Sequence, residues 1–303
     1  MLQAWNPDNR HLQVNINGEL IHRDRAGISP FDSAVQGGDA VWEGLRLYEG
    51  RIFKLDEHLD RLRGSALALA FTEIPTKETL IEELRRTLHT NDMFDRVHIR
   101  LTLTRGVKIT SGMDPRLNQA GPTLIVLAEH KAPVYGTDGL TLITSSLRRF
   151  PPDQMDPKIH HCNLIQSILA KIEANAAGAD DALMLDQNGF IAETNATHFF
   201  VVERGVVLTS RLVACPEGIT RATVLELCGE LEIPFEVRDL SLAEAYRCDE
   251  AFCTGTMGEL VPVVRLDGRP LGTESIGPVT HRLRGAFREL TAAAGTQICD
   301  WRD

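Results

Sequence analysis

Three dipeptides constrain the architecture more than any other feature of the chain. Asn17-Gly18 separates LQVNI from ELIH, Glu49-Gly50 separates VWEGLRLY from RIFKL, and Asn188-Gly189 separates DALMLD from FIAE. Asn-Gly supplies the positive φ angles of a tight turn, so the flanking apolar runs fold back as antiparallel hairpins. HFFVVE with VVLTS forms a further hairpin, and VHIRLTLT, PTLIVLAE, FEVRD and EAFCTG read as additional strands. Apolar periodicity predicts helices over 56–70, 77–88, 163–177, 220–231 and 278–294. In the first, Leu59, Leu62, Ala66 and Leu69 form the buried stripe. Hairpins and helices mixed without regular βαβ alternation predict an α/β or α+β fold and argue against a Rossmann sheet. The stretch HKAPVYGTDG has a Pro and two Gly and no apolar periodicity. It reads as a linker at 131–139 between a small N-terminal α/β domain, 1–130, and a large C-terminal domain, 140–303.

Composition narrows the function classes. The 303 residues carry a formal net charge of -10, which disfavours nucleic acid and anionic membranes as partners. An anionic substrate therefore needs a local cluster of positive groups. No stretch approaches the ~20 apolar residues of a membrane span, and MLQAWNPDNR lacks a signal pattern. Six cysteines without regular spacing in a chain this long argue against a disulfide framework and for a reducing cytoplasm. His160, His161 and Cys162 are adjacent and do not converge on one ion, so no metal site is expected.

Four segments carry chemistry. In DPKIHHCNLIQSILAKIEAN, Lys158 follows a proline and precedes an apolar helix. That setting predicts partial burial, which lowers the amine's pKa and makes it nucleophilic; the plainer alternative is a solvated surface lysine. In GFIAETNATHFF, Glu193 stands among apolar residues and needs a partner, either a structural cation or hydrogen bond, or a protonated group of a bound cofactor. In PEGITRATVLEL, Gly218-Ile219-Thr220 opens a helix whose free backbone N–H groups suit a phosphate, or is simply a capped helix. CTGTMGE, 253–259, ends a strand with small and hydroxyl residues, a second candidate anion nest.

The order and joint presence of these segments resemble the class IV (fold type IV) pyridoxal-phosphate enzymes. These include branched-chain and D-amino-acid aminotransferases, (R)-selective amine transaminases and aminodeoxychorismate lyase. The resemblance runs from about residue 31 to 290, through VWEGLRLYEGRIFKLDEHLDRL, LRRFPPDQMDPKIHHCNL, DDALMLDQNGFIAETNATHFF, PEGITRATVLEL, YRCDEAFCTGTMGELVPV and LDGRPLG. It implies a two-domain fold whose C-terminal part is a pseudo-barrel, and a homodimer. It implies pyridoxal 5'-phosphate as cofactor, with Lys158 as the Schiff-base lysine and Glu193 against the pyridine nitrogen. Arg61, Ile219, Thr220 and Thr256 match the family's phosphate-binding positions. The implied activity is transfer of an amino group from an amino acid or amine to a 2-oxo acid such as 2-oxoglutarate or pyruvate.

The substrate signal divides. EGLR, GTMGE and the arginine of the HIR triplet look like the branched-chain enzymes, LTLTRG like the D-amino-acid enzymes and the lyase, and YRCDEAF like the (R)-amine transaminases. In VHIRLTLT, His98 and Arg100 share the face opposite the apolar residues. That face is either solvated or holds a substrate carboxylate on Arg100, helped by His98. Arg105, Lys108 and Arg116 in the following loop are alternatives. Trp42 and Met257 complete the expected substrate wall. Gly37, Asn163, His198 and Trp42 depart from the usual pattern; asparagine is usual where His198 stands.

Overall fold

At the first predicted hairpin, Asn17 and Gly18 both take positive φ, 51° and 82°. They join β1 (Gln13–Ile16) antiparallel to β2 (Glu19–His22). The computed structural model describes residues 4–136 and 138–300; Thr137, inside the expected linker, lies outside the described residues. Contacts divide the chain into an N-terminal unit (4–132, 159–163 and 291–300) and a C-terminal unit (133–158 and 164–290).

In the N-terminal unit, α1 (Ser33–Gly37) precedes β3 (Ala40–Tyr48), which the Glu49-Gly50 turn folds onto β4 (Arg51–Ile52). Two helices follow, α2 (Leu55–Ala68) and α3 (Lys77–Thr90). Thr76 caps α3 by accepting the Thr79 N–H. β5 (Val97–Thr104) and β6 (Thr123–His130) complete a seven-stranded sheet. Its edge beside β4 is the two-residue strand Thr296–Gln297. Val97, Ile99, Leu101 and Leu103 of β5 are fully buried against Leu59 and Leu62 of α2 and Leu84 and Leu88 of α3. That alternation turns His98 and Arg100 to the other face. Truncating Leu84 to Ala would cost about 2–5 kcal/mol.

The C-terminal unit contains β7 (Leu140–Arg148), α4 (Pro152–Met155), α5 (Ile165–Ala176), β8 (Asp181–Leu185), β9 (Ile191–Thr194), β10 (His198–Glu203) and β11 (Val206–Thr209). After these come α6 (Ile219–Glu230), β12 (Phe235–Val237), α7 (Leu242–Tyr246), β13 (Glu250–Gly255), β14 (Glu259–Leu266) and α8 (Pro278–Ala293), which belongs to this unit as far as Leu290. The strand order is β12-β11-β10-β13-β14-β7-β8-β9, with Arg269–Pro270 added on β14. Pairs β11–β12, β14–β7 and β7–β8 are parallel. Phe200 and Phe252 stack across β10 and β13 with centroids 4.8 Å apart. The fold is mixed α/β, as the sequence suggests. One expectation changes: the domain read as unbroken from 140 to 303 is interrupted. Residues 159–163 and 291–300 group with the N-terminal unit, because Trp42 N–H bonds the His160 carbonyl and Thr296 pairs with Ile52.

Candidate active site

The C-terminal unit gathers one set of predicted residues. Glu193 lies on β9, 4% exposed, with Oε1 2.9 Å from Arg149 Nη2. Arg149 follows β7 and also donates to the Thr194 carbonyl at 2.7 Å and to Ser167 Oγ at 3.1 Å. A buried carboxylate needs such a cation, and the sequence reading did not single Arg149 out. Lys158 occupies a turn between α4 and α5, its backbone N–H donating to Asp156 Oδ1 at 3.0 Å. The expected partial burial is absent: Lys158 is exposed, because α5 starts at Ile165 and leaves the lysine on the preceding turn.

Cys215 is buried in the same unit and feels these charges. Burial pushes its thiol far up, the Glu193 carboxylate adds to this, and Arg221, Arg149 and Lys158 oppose it. Lys158, Glu193, Arg149 and Arg221 thus share one electrostatic neighbourhood. Ile219 and Thr220 open α6, whose N-cap Gly218 provides no side-chain cap. The N–H groups of that turn have no capping side chain to absorb them. Thr256 and Met257 lie on the turn after β13, where Gly258 N–H bonds the Gly255 carbonyl. The nearby Thr254 Oγ1 is buried without a hydrogen-bond partner.

The N-terminal unit gathers the rest around Glu43, which is fully buried on β3. Arg61 of α2 donates from Nε to Glu43 Oε1 at 2.8 Å and from Nη2 to Oε2 at 2.7 Å. His58 Nδ1 lies 2.6 Å from Oε2 and His160 Nδ1 3.2 Å from Oε1. Burial would raise the Glu43 pKa, but His160 and Arg61 outweigh it and hold the carboxyl well below its usual range. Trp42 stacks on His160 with centroids 4.4 Å apart and carries the Arg100 guanidinium over its ring. Arg100 has no carboxylate at ion-pair distance among the described residues; Nη2 reaches Cys162 Sγ at 3.9 Å, and burial lowers its pKa. His98, on the same face of β5, is pushed down to about 3 by burial, then by Lys131, Arg100 and Arg46. The alternatives to Arg100 are engaged locally: Arg105 with Asp39 at 2.6 Å, Arg116 with Asp114, and Lys108 with the Gly112 carbonyl.

The family model for class IV amino-transferases matches residues 40–266. The chain belongs to this family. Class IV relatives include the branched-chain-amino-acid aminotransferase-like protein 2 of Arabidopsis thaliana, 53% identical over 98% of this chain and 53% of that protein. The chain spans about half the length of the two Arabidopsis relatives. A putative branched-chain-amino-acid aminotransferase of Methanocaldococcus jannaschii is 38% identical over 95% of this chain and all of that one. Among solved structures, a T.th. branched-chain amino acid aminotransferase complexed with N-(5'-phosphopyridoxyl)-L-glutamate superposes with a TM-score of 0.87. It is 33% identical and covers 93% of this chain and 95% of its own.

Within this class IV chain, sequence reasoning missed Glu43, His58 and Arg149. The signal for Glu43 was present: a lone glutamate in the apolar run VWEGLRLY needs cationic partners. Arg149 had only the arginine pair before Pro151-Pro152 to mark it. Among the described residues no cluster of three or more His, Cys, Asp or Glu is arranged to hold a metal, and no helix is long and apolar enough to cross a membrane.

Proposed function

We propose that this protein is a pyridoxal-phosphate-dependent aminotransferase that moves an amino group between an amino acid, branched-chain-like, and a 2-oxo acid such as 2-oxoglutarate or pyruvate. The observation that carries the reading is the buried Glu193 carboxylate held 2.9 Å from Arg149, in the unit that also bears Lys158 and the uncapped α6 N-terminus. The donor set fits the cofactor: an exposed amine for its aldehyde, a buried carboxylate for its ring nitrogen, and the N–H groups of the α6 turn with the orphan Thr254 hydroxyl for its phosphate. Ile219, Thr220 and Thr256 would hold that phosphate.

When bound, pyridoxal phosphate supplies an aldehyde that takes up the amino group and a protonated ring that draws electrons from the substrate Cα. Lys158 Nζ takes the Cα proton as base and returns it as acid. Glu193 would accept a hydrogen bond from the ring nitrogen, with Arg149 balancing its charge. Arg100, backed by Trp42 and accompanied by His98 on the same strand face, would bind the substrate carboxylate. The family resemblance supports a homodimer, and six cysteines joined by no disulfide support a reducing, cytoplasmic setting.

The test is spectral. The purified protein is loaded with cofactor and offered single donors without acceptor: L-leucine, L-glutamate, D-alanine and (R)-1-phenylethylamine. Conversion of the lysine-bound absorbance to that of the aminated cofactor by L-leucine or L-glutamate supports the reading. Conversion only by D-alanine or the amine moves the specificity to the D-amino-acid or (R)-amine branch. A loaded protein that no donor converts, but that releases pyruvate from aminodeoxychorismate, is a lyase. Full turnover by Lys158→Ala would sink the proposal.

A further inference from the structure

His198 is one of the residues that departs from the family pattern, and it touches both elements assigned above to the phosphate. It is 6% exposed and opens β10 in register with Thr254 of β13, two positions before Thr256. Its ring also lies directly beneath the first turn of α6. A Cβ built on Gly218 would overlap His198 Nε2 and Cδ2. The imidazole thus fills the volume that any larger residue at 218 would need, and the backbone rests on the ring.

The neighbouring residue makes the matching contact on the other side. A Cβ on Gly255, at the end of β13, would sit 3.2 Å from Thr197 Cγ2. Each of the two N–H-bearing turns therefore begins at a glycine pressed onto residue 197 or 198. Thr197 is itself anchored, its carbonyl accepting from Thr194 N–H at 2.8 Å and its Oγ1 lying 2.8 Å from Thr194 Oγ1.

We propose that His198 is a positioning residue for the cofactor phosphate, its rigid ring setting the spacing between the α6 N-terminus and the β13–β14 turn. This rests on the reading that those two turns receive the phosphate. An anion bound by several N–H groups needs them fixed to within about 0.5 Å, and in this chain the packed imidazole under Gly218 provides that.

The experiment compares pyridoxal phosphate with pyridoxal, which lacks the phosphate, in calorimetric titrations of the full chain stripped of cofactor. Wild type, His198→Ala, His198→Asn and Gly218→Ala are measured, with thermal unfolding recorded for each. His198→Ala and Gly218→Ala should weaken pyridoxal phosphate about tenfold while leaving pyridoxal within about twofold. His198→Asn, which is milder on folding, should fall between them and wild type. Equal weakening of both ligands, or an unchanged ratio in all three variants, overturns the positioning role. If wild type itself does not distinguish the two ligands, the phosphate assignment of these turns fails first and the role of His198 with it.

Discussion

The Arg100 guanidinium carbon lies 3.4 Å from the centroid of the Trp42 ring. The register of β3 with β5 places Arg100 opposite Gly44, two residues from Trp42, and a Cβ on Gly44 would sit 3.4 Å from the Trp42 ring and 3.8 Å from His98 Nε2. A planar cation held flat on an indole keeps its outer N–H edge for an anion.

On the proposed reading, Arg100→Met should raise KM for L-leucine by about 10–100-fold, the worth of a charged hydrogen bond at about 1.5–3 kcal/mol. Under the same conditions KM for an amine without a carboxylate should stay unchanged. Steady-state kinetics with both donors check this. Parallel increases for the two donors would remove Arg100 from carboxylate binding.

Arg149 and Glu193 form a buried ion pair at 2.9 Å. Arg149→Met takes the cation away from a buried carboxylate and should destabilise the protein by about 3 kcal/mol. Adding Glu193→Gln should recover part of that loss. Urea unfolding of the single and double variants measures it, and a single variant as stable as wild type would contradict the pairing.

The Glu43 carboxyl titrates well below the ordinary glutamate value of 4.5 in the folded chain. Its contribution is thus fully present above about pH 4.5 and is lost as the pH falls through the lower folded value. Wild type should lose stability on acidification below that point, and Glu43→Gln should show a shallower acid limb together with lower stability at neutral pH. Denaturant titrations at several pH values test both parts.

His98 shifts the other way for its charge type. It is neutral in the fold down to about pH 3, whereas an unfolded histidine takes its proton near 6.5. Lys131, Arg100 and Arg46 face it, and Glu129 stands opposite in register. Stability is then unaffected above pH 6.5 and falls below it by up to about 1.4 kcal/mol per pH unit. His98→Asn should flatten that slope between about pH 6.5 and 5. An identical slope in the variant would mean that another group sets it.

Much of this was legible from local sequence because hairpins and amphipathic helices are local devices. HFFVVE appears as the strand His198–Glu203, and the helix expected over 278–294 spans Pro278–Ala293. The parallel pairing of β7 with β8 and β14 joins segments far apart in sequence, and no dipeptide announces it. The same holds for charge partners. Glu193 declared its need for a cation, but only the register of β8 with β9 and the exit of β7 decide that the cation is Arg149. Lys158 departed from its expected burial because α5 begins only at Ile165, which leaves the lysine on the exposed turn before it.

In the strand Thr296–Gln297 that edges the N-terminal sheet, Thr296 pairs with Ile52, 244 positions earlier in the chain, and Gln297 pairs with Arg51. Its contact order is therefore among the highest in the molecule. During synthesis β4 emerges with one flank bare and keeps it bare while the whole C-terminal unit is made. A chaperone that recognises open β-edges would find its binding window there, and ribosome-stalled chains ending before residue 296 should be the ones it holds.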